Sequence, residues 1–218
     1  FQHLLRFTGE TAAEPVVAWF PIVSAVLTAL CLYAIAVLVT EDQRSSLLAV
    51  VFLALTPVHA IYTGLGFLEH RPHQYFWLAV LVLTLVWLAT DVRRRLEDGS
   101  TAVRDHARNP RSWAVAGVLA LAVFGSVFSW AGSPITFVPV AAYLGFRVLA
   151  DVRADVSPLH ANAPTLSGLA AGTVLVLVMH LQFGWDESLA IAAPVLVTLG
   201  GVGVVALATL WHSLDRSP

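Results

Sequence analysis

LAVLVLTLVWLA, residues 78–89, is apolar on every face of a helix and equally apolar on both faces of a strand. A lipid-facing β-barrel strand alternates apolar and polar side chains over about ten residues. This run does not alternate, and together with its flanks it reaches roughly the 20 residues that an α-helix needs to cross a bilayer. The same texture recurs along the chain, at about 16–39, 46–65, 74–90, 112–130, 134–150, 164–183 and 188–211. The sequence therefore predicts an all-α, polytopic transmembrane helix bundle of about seven spans.

Composition excludes the soluble alternative. Of the 218 residues, 58% are hydrophobic and only 12% charged, and the mean hydropathy is +0.78. An ordinary soluble domain is about 45–50% apolar and about 25% charged. The middles of the spans are almost free of charge, which disfavours a proton pump, a voltage sensor or a pore for charged solutes. The single Cys31, inside the first span, rules out a disulfide framework.

Arginine supplies all the permanent positive charge, since the chain has no lysine. Arg44, Arg93, Arg94, Arg95, Arg104, Arg108, Arg111, Arg147, Arg153 and Arg216 follow spans one, three, five and seven, whereas Arg6 and Arg71 fall on the other side. The positive-inside rule then places the Asp91–Arg111 loop and the carboxyl end in the cytoplasm, in a cell-membrane protein whose chain start and Glu69 loop lie outside. Residues 1–15 read as an outer-face tail, and 16–218 as the transmembrane domain. A chain start outside with no preceding span, at Phe1, reads as a fragment of a longer protein with at least one upstream helix.

Several spans carry proline inside or near an end (Pro21, Pro57, Pro139, Pro194), where kinks are expected. Gly168 and Gly172 form a GxxxG in the sixth span, and Gly200, Gly201 and Gly203 a smooth patch in the seventh; both read as helix-packing features. Arg147, near the end of the fifth span, is expected to snorkel to the interface.

One outer loop differs from the others. GLGFLEHRPHQYFW, residues 64–77, crowds Glu69, His70, Arg71 and His73 beside Tyr75, Phe76 and Trp77. A carboxylate oxygen with imidazole nitrogens suits a divalent ion such as Mn²⁺. Two ligands do not make a site, however, and Glu10, Glu14, Asp186 and Glu187 on the same face have no convincing spacing. The plain alternative is a charged turn with Pro72 in the first turn of the next helix and Tyr75 and Trp77 in the interfacial aromatic belt.

The stretch from Pro15 to about Ala89 resembles the catalytic subunit of oligosaccharyltransferases, especially the archaeal glycosylation protein B type, a membrane glycosyltransferase of the GT-C fold. In that family a helix pair with a proline-containing end, like Leu55-Thr56-Pro57, leads to an outer loop of the form G-F-x-D-H-H-x-x-E. Here Gly66-Phe67-Leu68-Glu69-His70-Arg71-Pro72-His73-Gln74 stands in that place. The resemblance implies transfer of a glycan from a polyisoprenyl (dolichyl) phosphate carrier to protein asparagine, with a lipid-linked oligosaccharide, an acceptor protein or peptide and membrane lipid as partners, and no nucleic acid.

It further implies a divalent metal cofactor, Mn²⁺ or Mg²⁺. Glu69 takes the place of the family's aspartate as the catalytic metal ligand, with His70 at the first histidine and His73 as a substitute ligand. Arg71 occupies the second histidine position, where it cannot ligate a cation and is assigned to substrate binding, and Gln74 replaces an acidic residue. The family's first acidic motif and its W-W-D-Y-G motif are absent from these residues. From a different class, a transporter or flippase for a lipid-linked substrate, or a non-catalytic relative, fits the same hydropathy.

Overall fold

The computed structural model describes residues 10–64, 71–185 and 187–214, and over these the chain is helical, without strands. The helices are α1 (Glu10–Thr40), α2 (Gln43–Leu55), α3 (Pro57–Tyr62), α4 (Arg71–Glu97), α5 (Val103–Arg108), α6 (Pro110–Ser129), α7 (Pro134–Arg153), α8 (Pro158–Phe183) and α9 (Ser188–Leu214), with a 3₁₀ turn at Ser100–Ala102. Six of them, α1, α4, α6, α7, α8 and α9, are long and apolar enough to cross a bilayer. The protein is an all-α, multi-pass membrane bundle of about seven spans, the expected second span being present in two pieces.

Helix starts follow local chemistry. Pro57, Pro110, Pro134 and Pro158 open α3, α6, α7 and α8, where the missing N–H costs nothing and φ is already helical. Asp42 caps α2 by accepting from the N–H groups of Arg44 and Ser45 at 3.2 and 2.9 Å, and from the Ser45 hydroxyl at 2.6 Å. Those bonds, that from the Ser45 hydroxyl first, hold its carboxyl below the usual range. Asn109 caps α6 through the Arg111 N–H, and Gly184, at φ 63°, ends α8 in the left-handed conformation.

The second span departs from the expected single helix over 46–65. It breaks at Thr56–Pro57 into thirteen- and six-residue helices, because Pro57 has no N–H to return to Leu53. Pro139, Pro164 and Pro194 instead lie within continuous helices. At the amino end, α1 begins at Glu10, ahead of the expected Val16, and α4 continues seven residues beyond Thr90.

The chain packs as two compact units, Phe1–Ala79 and Val80–Pro218, so that the boundary falls within α4. In the first, α1 packs on α2, and Pro21, Ser24 and Thr28 form the buried stripe of α1. In the second, α6 packs most extensively on α8, and α9 lies against α7 and α8. The α6–α8 seam is the predicted GxxxG. A Cβ on Gly168 would stand 2.6 Å from the Ala116 carbonyl oxygen, and one on Gly172 2.6 Å from the Val123 Cβ. Of the three glycines in α9 only Gly201 is a close approach, with Leu144 Cδ1 at 2.9 Å; Gly200 and Gly203 face open space.

Candidate functional site

Two groups of polar side chains stand out from the apolar background. The first lies in the Phe1–Ala79 unit, at the head of α4, and includes part of the loop singled out by sequence. Arg71 opens α4 and places its guanidinium carbon 4.0 Å from the centroid of the Tyr62 ring. That contact engages the face of the guanidinium, whereas phosphate and carboxylate recognition uses its in-plane N–H groups. His73 lies on the first turn of the same helix. Its Nδ1 is 3.0 Å from the hydroxyl of buried Ser24, and its ring stands edge-on to Phe20 at a centroid separation of 3.7 Å.

Glu69 and His70 lie outside the described residues. Of the implied metal ligands, then, His73 is the one whose geometry is described, and it fits in one respect. Metal-binding imidazoles commonly engage a polar partner through the second ring nitrogen, which fixes ring orientation; with Ser24 at Nδ1, Nε2 is the nitrogen left for any further partner. Among the described residues no three of His, Cys, Asp and Glu come together as a metal site, so the described part of the loop is not by itself one. The plain features of the loop are also present, since Pro72 lies in the first turn of α4.

The second group lies in the Val80–Pro218 unit, where α4 and α7 end and α6 and α8 begin, and sequence reading missed it. His106, on the short α5, is fully buried, with Nδ1 2.6 Å from Asp91 Oδ2 on α4. Arg95 Nε donates to the same oxygen at 2.8 Å, and the Ser112 hydroxyl lies 3.3 Å from His106 Nδ1. His106 Nε2 has no hydrogen-bond partner among the described residues. Burial pushes the imidazole's proton affinity down, against the pull of the Asp91 carboxylate.

Beside it, Arg147 Nη2 is 3.1 Å from Asp151 Oδ1 on the next turn of α7. The side-chain amide of Asn162 on α8 donates to Asp151 Oδ2 at 2.7 Å and to the Pro158 carbonyl at 2.9 Å. Arg147, expected to snorkel outward, thus pairs with a carboxylate only 5% exposed, and its own side chain is 16% exposed. The turn dipeptide Asp98-Gly99 was the available sequence signal: Gly99, at φ 117°, reverses the chain after α4 and brings His106 back to Asp91.

Of the other histidines, His180 Nδ1 meets the Trp185 carbonyl at the end of α8.

In comparisons with known proteins, no family model matches the chain, no curated protein matches it and no solved structure matches it.

Proposed function

We propose that the protein is a membrane glycosyltransferase of GT-C type, resembling an oligosaccharyltransferase, that moves a glycan from a polyisoprenyl (dolichyl) phosphate carrier to the side-chain nitrogen of a protein asparagine. The observation that carries this reading is the helix break at Thr56–Pro57 with a long apolar helix beginning at Arg71, the two flanking Glu69 and His70 in the sequence. A proline-broken helix pair leads into the stretch bearing Glu69 and His70, and Arg71 and His73 follow in the first turn of a long apolar helix. A lipid-linked donor requires polar reacting groups next to apolar helices, and Arg71 and His73 at the head of an apolar span meet that requirement.

In the reaction the asparagine nitrogen attacks the anomeric carbon of the glycan. The bond from that carbon to the carrier's phosphate oxygen breaks with its electron pair, and the proton lost from the amide nitrogen ends on the released phosphate or in solvent. In this reading Glu69, His70 and His73 hold a divalent ion, Mn²⁺ or Mg²⁺, which when bound supplies charge stabilisation as a Lewis acid. Arg71 binds the departing phosphate through its in-plane N–H groups, with Tyr62 against its face. Ser24 fixes the ring of His73. The outer placement of this loop and the cytoplasmic placement of the arginine-rich ends belong to the same proposal and rest on the distribution of arginine.

The test uses the full-length protein in native membranes, with a lipid-linked oligosaccharide as donor and a peptide containing an asparagine acceptor. Glu69→Gln is expected to abolish transfer and Glu69→Asp to retain it, both at normal protein levels. Full transfer by Glu69→Gln, or none by the wild type, overturns the reading.

A further inference from the structure

The short helix α5 is fixed on one side and charged on the other. Val103 and His106 are buried to 1% and 0% exposure. Val103 packs with Val92, Val156 and Ala161, while His106 is held by Asp91. These anchors set the rotation of the helix. Arg104 and Arg108, four residues apart and so on one face, are exposed, as is Arg111 at the start of α6.

Other arginines at this end have carboxylate partners: Arg93 with Glu97, Arg95 with Asp91, Arg147 with Asp151. No carboxylate of a described residue stands within ion-pair distance of Arg104, Arg108 or Arg111, although the exposed Asp105 shares their helix. Over residues 91–111 six arginines stand against four carboxylates, so the stretch carries surplus positive charge.

Its depth is set by α6. That helix has 20 residues, about 30 Å at 1.5 Å per residue, which equals the thickness of the hydrocarbon core. A helix of this length just spans the core, which puts its first turn at the hydrocarbon edge, next to the headgroup layer that holds the lipid phosphates. Trp113 in that turn is 43% exposed and its indole N–H donates to the Ala107 carbonyl at 2.7 Å. An amphipathic ring tied at that level is characteristic of the interfacial belt, and its bond to α5 holds the arginines beside it.

We propose that α5 and the first turn of α6 form an anionic-lipid site, in which Arg104, Arg108 and Arg111 receive the phosphate of an acidic phospholipid headgroup while Trp113 packs on its glycerol and upper acyl region. The occupant is a lipid because the guanidiniums stand at the headgroup level of a spanning helix, with an exposed indole next to them. The site does not depend on the glycosyltransferase reading.

The experiment reconstitutes the full chain in bilayers of phosphatidylcholine with phosphatidylglycerol, extracts it gently, and measures the lipids retained per protein by mass spectrometry. The wild type is expected to retain phosphatidylglycerol in excess of its bulk fraction, and the excess to fall in high salt. The Arg104→Gln/Arg108→Gln/Arg111→Gln variant loses it, at about fivefold per arginine in relative affinity, whereas replacing the same three with lysine keeps most of it. Bulk composition around the wild type overturns the site, and this needs no variant to fold. An unchanged excess in the glutamine variant overturns its location, and complete displacement by millimolar inorganic phosphate shows a small-anion site instead of a lipid one.

Discussion

His106 Nδ1 lies 2.6 Å from Asp91 Oδ2, tying the six-residue helix α5 to the last turns of a 27-residue span. Both of the short helix's inward side chains are buried, and this bond is the polar half of the anchor; the cluster of Val92, Val103, Val156 and Ala161 is the apolar half. The groups around the imidazole are Asp91 and Arg95 from α4, Ser112 from α6 and Arg147 from α7. On α8, His160 is engaged with Ser157.

Acid should loosen this anchor. Burial places the folded pKa of His106 below its ordinary value, so the native state binds fewer protons than the unfolded chain. The contribution is complete above the unfolded value of about 6.5 and declines as pH falls through it towards the folded value. The thermal midpoint in detergent should drop between pH 8 and pH 5.5, and drop less in His106→Gln. Equal drops in the two proteins count against the anchor.

Removing Arg147 should be costly because Asp151 remains buried behind it. Loss of one partner of a buried ion pair costs about 3–5 kcal/mol, so Arg147→Ala should unfold at markedly lower temperature. The double variant Arg147→Met/Asp151→Leu should recover most of the loss. A double variant as unstable as the single one would mean that packing, and not the unpaired charge, sets the cost.

The glycines of α8 and α9 should separate into two kinds. At Gly172 an added Cβ meets Val123 Cβ at 2.6 Å and the Ala120 carbonyl oxygen at 2.7 Å, so Gly172→Val should cost about 1–3 kcal/mol or more through overpacking. Gly200→Ala and Gly203→Ala, in open space, should be neutral or stabilise by about 0.5–1 kcal/mol. Thermal unfolding of the three variants side by side distinguishes the kinds.

Ser24 offers a test of His73. Ser24→Ala removes one hydrogen bond, at about 1 kcal/mol of stability. If His73 is a metal ligand, Mn²⁺ affinity of the full-length protein, read by electron paramagnetic resonance, should also fall by about 10–100-fold, the usual cost of losing the group that orients a ligand. Unchanged affinity with a small loss of stability leaves His73 as a packing residue.

The run at 78–89 was enough to read the bundle, because a span of lipid thickness must be apolar whichever way it faces. The starts expected at Pro134 and Ser188 coincide with those of α7 and α9. The break at Pro57 was only half legible: proline announces a disturbed helix, but whether it breaks, as there, or continues, as at Pro139 and Pro194, depends on neighbours that sequence does not order. His106 and Asp91 were illegible as a pair, since fifteen residues and a glycine turn separate them and neither sits on a periodic pattern. Arg147 and Asp151 stood at helical spacing and were readable in principle, yet hydropathy alone does not say which face of α7 turns inward. In the stretch 64–77 the residue types were plain in the sequence, and the structure adds the partners of Arg71 and His73.

The break in the second span is closed by a single residue. Pro57 has no N–H for the Leu53 carbonyl, and the Thr56 N–H takes that carbonyl at 3.1 Å. This diverts it from Phe52, whose carbonyl receives the Thr56 hydroxyl at 2.8 Å instead. The Leu53 and Phe52 carbonyls are thereby paired without water, which matters where a lipid surrounding offers none, so one threonine beside the proline offsets part of the hydrogen-bonding cost of breaking a membrane helix.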